Sequence, residues 1–361
     1  MARKLTRRQL EKLAEGFEPK IRRAFLAAFE DVRNQAGVNA MAELIRIGRV
    51  DALTEALGIN SARFAPLAEA VRSVFAEGGR LAALEIPPLV SNAPLLQGQW
   101  RAPASEAMKV HFSFDIRAAG AEQWLQQHSA NLVTEIINSQ RDAIRTTIAE
   151  GMAMGRAPRQ TALDIVGRVG TTGRRTGGVV GLTSQQAQYV ANARAELLSG
   201  DPAQMSRYFS RARRDKRFDA AVRKAIKEGR PLSAADVDKI TGRYADRLLA
   251  LRGETIARTE SITSMNAARE ESYRQAIEAG DLLPENVIGT WGATGDRKTR
   301  DTHQAMNGQE RRFGEPFLSP SGAMLRYPGD TSLGAGADEI ANCRCTKIFR
   351  IDNKAEGARG R

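Results

Sequence analysis

The chain is poor in the residues that staple or heavily furnish a small core. Two cysteines, Cys343 and Cys345, stand one residue apart among 361 positions. Thiols that close cannot cross-link distant segments, so a disulfide framework is excluded; reducing conditions or metal ligation fit better. Aromatic residues make up 6% while alanine and arginine abound, which argues against a β-sandwich and for helices packed through small aliphatic faces. No stretch approaches the roughly 18–20 apolar residues of a membrane span. The basic N-terminus, residues 1–13, has no apolar segment behind it, so no signal peptide is expected and the protein should be made in the cytoplasm. Acidic residues are in the minority: 42 Asp and Glu face 54 Lys and Arg, a formal charge of +12. That excess attracts polyanions, nucleic acid first and an anionic membrane surface second, although an arginine-rich composition alone would also produce it.

What is present is mostly helical periodicity. Leu10, Leu13, Phe17, Ile21, Phe25 and Phe29 recur at three- and four-residue steps, predicting helices over residues 6–57. A second helical stretch covers 61–84. Residues 86–103, with four prolines and little periodicity, read as a connector, and 110–116 alternate weakly as a short strand. Helical spacing returns over 119–150. The glycine-rich run 170–181, with Arg168, Arg174 and Arg175, reads as a mobile loop and a minor site for nucleic acid. Thr183 and Ser233 read as helix caps, and a long helix over 236–279 is expected to break near Gly242 or Gly253. Beyond Pro284 glycines, prolines and aromatics alternate in short segments. The expected fold is therefore a mainly α-helical N-terminal and central region with a small C-terminal α+β domain. The expected divisions are a helical region 1–100, a central helical region 101–235, a domain 236–352 made of the long helix and the α+β module, and a polar tail 353–361.

Residues 207–230 hold ten Lys and Arg against three acidic residues. Arg207, Arg211, Arg213, Arg214, Lys216, Arg217, Arg223 and Lys224 are the candidate contacts to double-stranded DNA, a charge-driven and sequence-blind interaction. A solvated helix face, or a surface for an acidic protein, is the competing reading. No recognition-helix or zinc-finger pattern points to base reading.

The most informative residues lie between 256 and 350. Ala257-Arg258-Thr259-Glu260 is followed by Trp291, then Asp296, Thr299, Arg300 and His303 in D-x-x-T-R-x-x-H, then Asn307-Gly308, Tyr327-Pro328-Gly329-Asp330 and Cys343-Arg344-Cys345. His303, Cys343 and Cys345 are the one group of soft ligands, and with Asp296 or Asp301 they could complete a tetrahedral zinc site. The plainer reading is a hydrogen-bonded histidine beside two buried thiols. Catalysis by Asp296, Asp301 and His303 on a metal, or by Cys343 with His303 as base, lacks a second general base and a phosphate-gripping loop. Asp296 with Arg300, and Arg297 with Asp301, are spaced for ion pairs along a helix, and Arg258 could pair with Glu254 or dock the module through Asp296 or Asp301. Asn266 is a similar structural contact. Trp291, Phe313, Phe317 and Tyr327 are the expected module core.

In this order the motifs resemble the phage Mu F-like, SPP1-type head morphogenesis family of minor head proteins. The resemblance implies a structural, non-enzymatic virion component of a tailed double-stranded DNA bacteriophage. It would be made in the host cytoplasm and reside in the head interior or at the portal vertex. It would act in head assembly and in DNA packaging or delivery. Implied partners are the portal protein, a scaffold or major capsid protein, and non-specifically bound double-stranded DNA. Arg258, Thr259, Glu260, Trp291, Arg300 and Tyr327 are the structural residues of the motif set. No toxin-like or transferase domain is expected after the module. A DNA-binding protein outside any virion, or a metal-dependent hydrolase built on the Asp/His/Cys group, are the alternatives.

Overall fold

The computed structural model describes residues 4–90 and 109–352, so the polar tail and most of the expected connector lie outside the described residues. Its helices are α1 (Arg7–Gln35), α2 (Val38–Arg46), α3 (Val50–Ala56), α4 (Ala65–Ala83), α5 (Ala119–Ala153), α6 (Pro158–Val166), α7 (Ser184–Leu198), α8 (Pro202–Ser206), α9 (Asp219–Lys227), α10 (Ala234–Glu278), α11 (Asp301–Met306) and α12 (Ala337–Ile340). Its strands are short: β1 (Leu89–Val90), β2 (Lys109–Val110), β3 (Arg168–Val169), β4 (Arg175–Thr176), β5 (Val287–Gly292), β6 (Glu310–Arg312), β7 (Phe317–Leu318), β8 (Met324–Leu325) and β9 (Thr346–Ile351). Strands thus dominate only after residue 286, so the fold is mainly helical with a small α+β region at its C-terminal end. No helix among the described residues is long and apolar enough to cross a membrane.

Two compact units form, each from separate stretches of chain: residues 1–21, 68–128 and 255–361 in one, and 22–67 and 129–254 in the other. In the second unit Leu197, Met205, Tyr208, Val222, Ala225, Leu232, Val237 and Ile240 make one apolar cluster. Phe25, Phe29 and Phe64 pack edge-to-face at 5.1 and 5.5 Å. Each such buried ring contributes roughly 1.5–3 kcal/mol relative to exposure. Thr183 caps α7 in a capping box with Gln186, as its sequence predicts.

The glycine-rich run is packed instead of loose. Residues 175–176 within it pair with 168–169 just before it as the β3–β4 hairpin, and Val179 and Val180 are buried. Buried Arg33 donates to the Val180 carbonyl at 2.7 Å, and buried Arg252 donates to the Gly181 carbonyl at 2.9 Å. Burial lowers the pKa of both guanidinium groups, that of Arg252 to about 10. Nor is α10 broken at its glycines. Gly177, at φ +73°, crosses α10 so closely that an added Cβ would stand 2.7 Å from the Gly242 Cα, while Gly253 faces Phe25 and Leu26. These helical glycines answer a packing demand, which sequence spacing cannot distinguish from a helix stop.

In the first unit Phe75, Ala121, Leu125, Ala267, Ala268 and Tyr327 cluster, and Ala82, Ile86, Tyr273, Ala276, Val287 and Phe349 form a neighbouring core. The expected strand over 110–116 shortens to β2. Phe112, Phe114 and Ile116 still alternate inward onto these cores, but no strand among the described residues pairs with them. β5 is the centre of a three-stranded antiparallel sheet with β6 and β9 on its sides. The carboxylate of Glu85 takes a two-pronged bond from Arg269, at 2.8 and 3.0 Å, with both side chains buried.

Candidate metal centre and motif residues

The site is assembled where the loop after β5, helix α11 and the turn before β9 meet. Trp291, the penultimate residue of β5, is fully buried and sets its ring edge-on to His303 at 5.2 Å and to Phe317 at 5.3 Å. Phe313 is half-buried on the sheet side, and Tyr327 belongs to the Phe75 cluster, where its hydroxyl accepts from Trp124 Nε1 at 3.1 Å.

Three buried groups converge. His303 Nδ1 lies 3.5 Å from Cys343 Sγ and 3.4 Å from Cys345 Sγ. His303 Nε2 lies 2.8 Å from Glu339 Oε2. Glu339 is itself buried, and its other oxygen accepts from Ser319 at 2.9 Å and Ser321 at 2.5 Å. Burial pushes the Glu339 carboxyl up, but the hydrogen bonds from Ser321 and Ser319 and the neighbouring imidazole outweigh it, leaving the group below its ordinary value. Of the two thiols, Cys343 is pushed well above a free thiol by its hydrogen bond to Cys345 and then by burial. That same bond, followed by His303, brings Cys345 down to about 5 against the cost of burial. Sequence spacing does not reveal Glu339 as part of the group; its only signal is a carboxylate four residues before Cys343.

Asp296 and Asp301 stay outside this group. The Asp296 carboxylate is gripped by Arg344 at 2.7 Å on both oxygens, which holds its carboxyl down to about 2. Asp301 is exposed in the first turn of α11, and two helical steps turn His303 to the opposite, buried side. The expected Asp296–Arg300 and Arg297–Asp301 pairs do not form either, because residues 293–300 are loop and four-residue spacing aligns nothing there. Arg300 instead donates to the Ala341 carbonyl.

The Ala257–Glu260 stretch of α10 presents the turn that carries the thiols. Thr259 Oγ1 accepts the Asn342 amide at 2.9 Å, and Arg258 reaches Asn342 Oδ1 at 3.5 Å and Glu18 at 3.4 Å. Asn342 is the one non-glycine at positive φ among the described residues, at +56°. Glu260 pairs with His128 at 2.6 Å. Further along the helix, Asn266 donates to the carbonyls of Pro328 and Cys345, at 3.1 and 3.2 Å, and accepts from the Lys347 amide at 3.1 Å. The tight turn of Tyr327-Pro328-Gly329-Asp330 abuts the same helix: at Gly329, φ +93°, an added Cβ would fall 2.2 Å from Thr263 Oγ1.

Five of the eight candidate cations of the basic stretch are ion-paired. Arg211 pairs with Glu196, Arg214 and Arg223 with Asp219, Arg217 with Asp215, and Lys224 with Glu228. Arg207, Arg213 and Lys216 are exposed and pair with no acid among the described residues. Arg168 joins Arg156 and Arg194 around Asp164 and Asp238, and Arg174 pairs with Glu30, while Arg175 donates to the Gly167 carbonyl and pairs with no acid among the described residues.

Residues 216–348 match the model of the family described as Phage Mu protein F like protein. The chain is 29% identical over 113 residues to the Minor head protein GP7 of Bacillus phage SPP1, covering 31% of this chain and 34% of that protein. It is 33% identical over 97 residues to the NAD(+)--arginine ADP-ribosyltransferase EFV of Enterococcus faecalis, covering 27% of this chain and 18% of that protein. The chain thus spans about a fifth to a third of the length of these relatives. No solved structure matches.

Proposed function

We propose, from the match of residues 216–348 to the Mu F-like family model, that the chain is a minor head protein of a tailed double-stranded DNA bacteriophage, seated at the portal vertex. It acts in head assembly and in packaging or delivery of the genome, with portal, scaffold or major capsid protein as partners, and it performs no catalysis. The observation that carries this reading is the ordered motif set of residues 257–345, whose members hold one another. Arg258, Thr259 and Asn266 grip the segment 342–347, and Gly329 fits against Thr263. Residues spent on mutual support make a building part.

A thiolate, imidazole and carboxylate in line would also serve a nucleophilic cysteine. Here Cys343 and Cys345 are each 2% exposed and His303 1%, so a substrate carbonyl has no approach to the sulfur. The relative named as a transferase shares 18% of its length with this chain, too little to bring its activity across.

The test is co-purification of the tagged chain with the portal protein of the same phage, together with mass spectrometry of purified particles. The chain should appear in particles in low copy number and retain the portal protein. Absence from particles together with no portal association would overturn the reading. Contact with DNA rests on Arg207, Arg213 and Lys216, the three of the eight candidate contacts left without acidic partners among the described residues.

A further inference from the structure

We infer that His303, Cys343 and Cys345 form a zinc site, with Glu339 as the carboxylate that locks the histidine. The geometry carries the assignment. Zinc binds sulfur at about 2.3 Å and imidazole nitrogen at about 2.0–2.1 Å, so a tetrahedral site has an N-to-S edge of about 3.5 Å. The two edges present are 3.5 and 3.4 Å, both from Nδ1. The ligand atoms of the three residues all lie within 4.8 Å of one another, and all three residues are buried.

The surroundings are those of a ligand set. In the tautomer that donates the Nε2 proton to Glu339 at 2.8 Å, Nδ1 turns a lone pair toward both sulfurs. That is the tautomer a metal requires, and a carboxylate behind a ligating histidine is how such rings are fixed. Ser319 and Ser321 hold Glu339 in turn. The Cys345 amide donates to Cys343 Sγ at 3.4 Å, a contact that favours a thiolate at that sulfur. The positive φ of Asn342 bends the backbone so that both side chains of the C-x-C turn face inward. Charge balances as well. Zn²⁺ offsets two thiolates, and the Glu339 carboxylate is met by the imidazole N–H, so nothing ionic is left unpaired in a space closed to solvent. On binding, zinc displaces whatever protons the two thiols still hold. The three protein ligands leave one corner of the tetrahedron for an exogenous ligand. The thiolate-rich donor set selects zinc over magnesium or calcium.

The ion would tie α11 to the start of β9 and so fasten the small domain. The full chain, purified without chelators, should contain about one zinc per molecule by elemental analysis. Reconstitution with cobalt under reducing conditions should give the absorption of thiolate-to-cobalt charge transfer, which needs no variant. Glu339→Gln should keep the fold and weaken zinc binding about 10–100-fold. The double variant Cys343→Ser, Cys345→Ser should lose zinc and the cobalt band together. A metal-free chain that gives no cobalt charge-transfer band overturns the proposal, as does zinc retained by the double cysteine variant.

Discussion

At the scale of single residues, stability is concentrated in a few buried charges. Glu85 and Arg269 are 3% and 0% exposed at the side chain, 184 positions apart in sequence. Glu85→Gln leaves Arg269 buried without its counter-charge, and a loss on the order of 3–5 kcal/mol is expected, read from urea unfolding. Little or no shift would mean that water reaches the pair. Asp215 offers a test by pH. Arg217 lowers its carboxyl to about 2, against about 3.9 in an unfolded chain. A depressed folded value stabilises above the unfolded one and is lost as pH falls through it, so the contribution should be full above about pH 4 and vanish between about pH 4 and 2. The melting temperatures of the native chain and Asp215→Asn should differ near neutral pH and converge in acid; a constant gap would refute this origin. The site was legible at this scale as residue types, since His303, Cys343 and Cys345 are the sole clustered soft ligands. Their partners were not: Glu339 is one carboxylate among 42 acidic residues, and only the fold says that it faces the ring.

At the scale of elements, glycines mark contact more than interruption. Gly177→Ala puts a Cβ 2.7 Å from the Gly242 backbone and forces a positive φ on a side-chain-bearing residue, so both effects destabilise. A drop in melting temperature is expected for Gly177→Ala, and a far smaller one for Gly173→Ala, whose φ is also positive but whose Cβ would meet nothing. Equal effects would show that backbone strain alone matters. Thr183→Ala removes the capping box of α7 and should cost about 1 kcal/mol in chemical unfolding. Helix starts were readable because caps are local chemistry. The continuity of α10 and the packing of the glycine-rich hairpin were not, because both depend on a neighbour that arrives from elsewhere in the chain. The 110–116 segment shows the same limit: its alternating burial is real, while the pairing that would make it a full strand does not form among the described residues.

At the scale of the whole molecule, the net charge of +12 already has every acid subtracted, and ion pairing decides only which cations are free to meet polyanions. Most of the basic stretch is tied to Glu196, Asp215, Asp219 and Glu228, which leaves Arg207, Arg213 and Lys216 of the eight candidate contacts to meet phosphates. If all three do, their combined replacement by glutamine should make the salt slope of DNA binding shallower by about three, near 0.9 for each phosphate no longer neutralised. An unchanged slope would place the DNA on another part of the surface. Fold class was legible from periodicity and low aromatic content; the interleaving of distant stretches into each compact unit was not, since periodicity records only local faces. The central strand of the small sheet has a consequence for synthesis. β5 pairs three residues with β6 but six with β9, whose residues are made more than fifty positions later. A growing or truncated chain ending at residue 342 carries β5 with one flank bare, an open template for a strand from another molecule. Fragments cut there should clump, and prompt delivery of the final strand is what keeps the nascent protein from doing so.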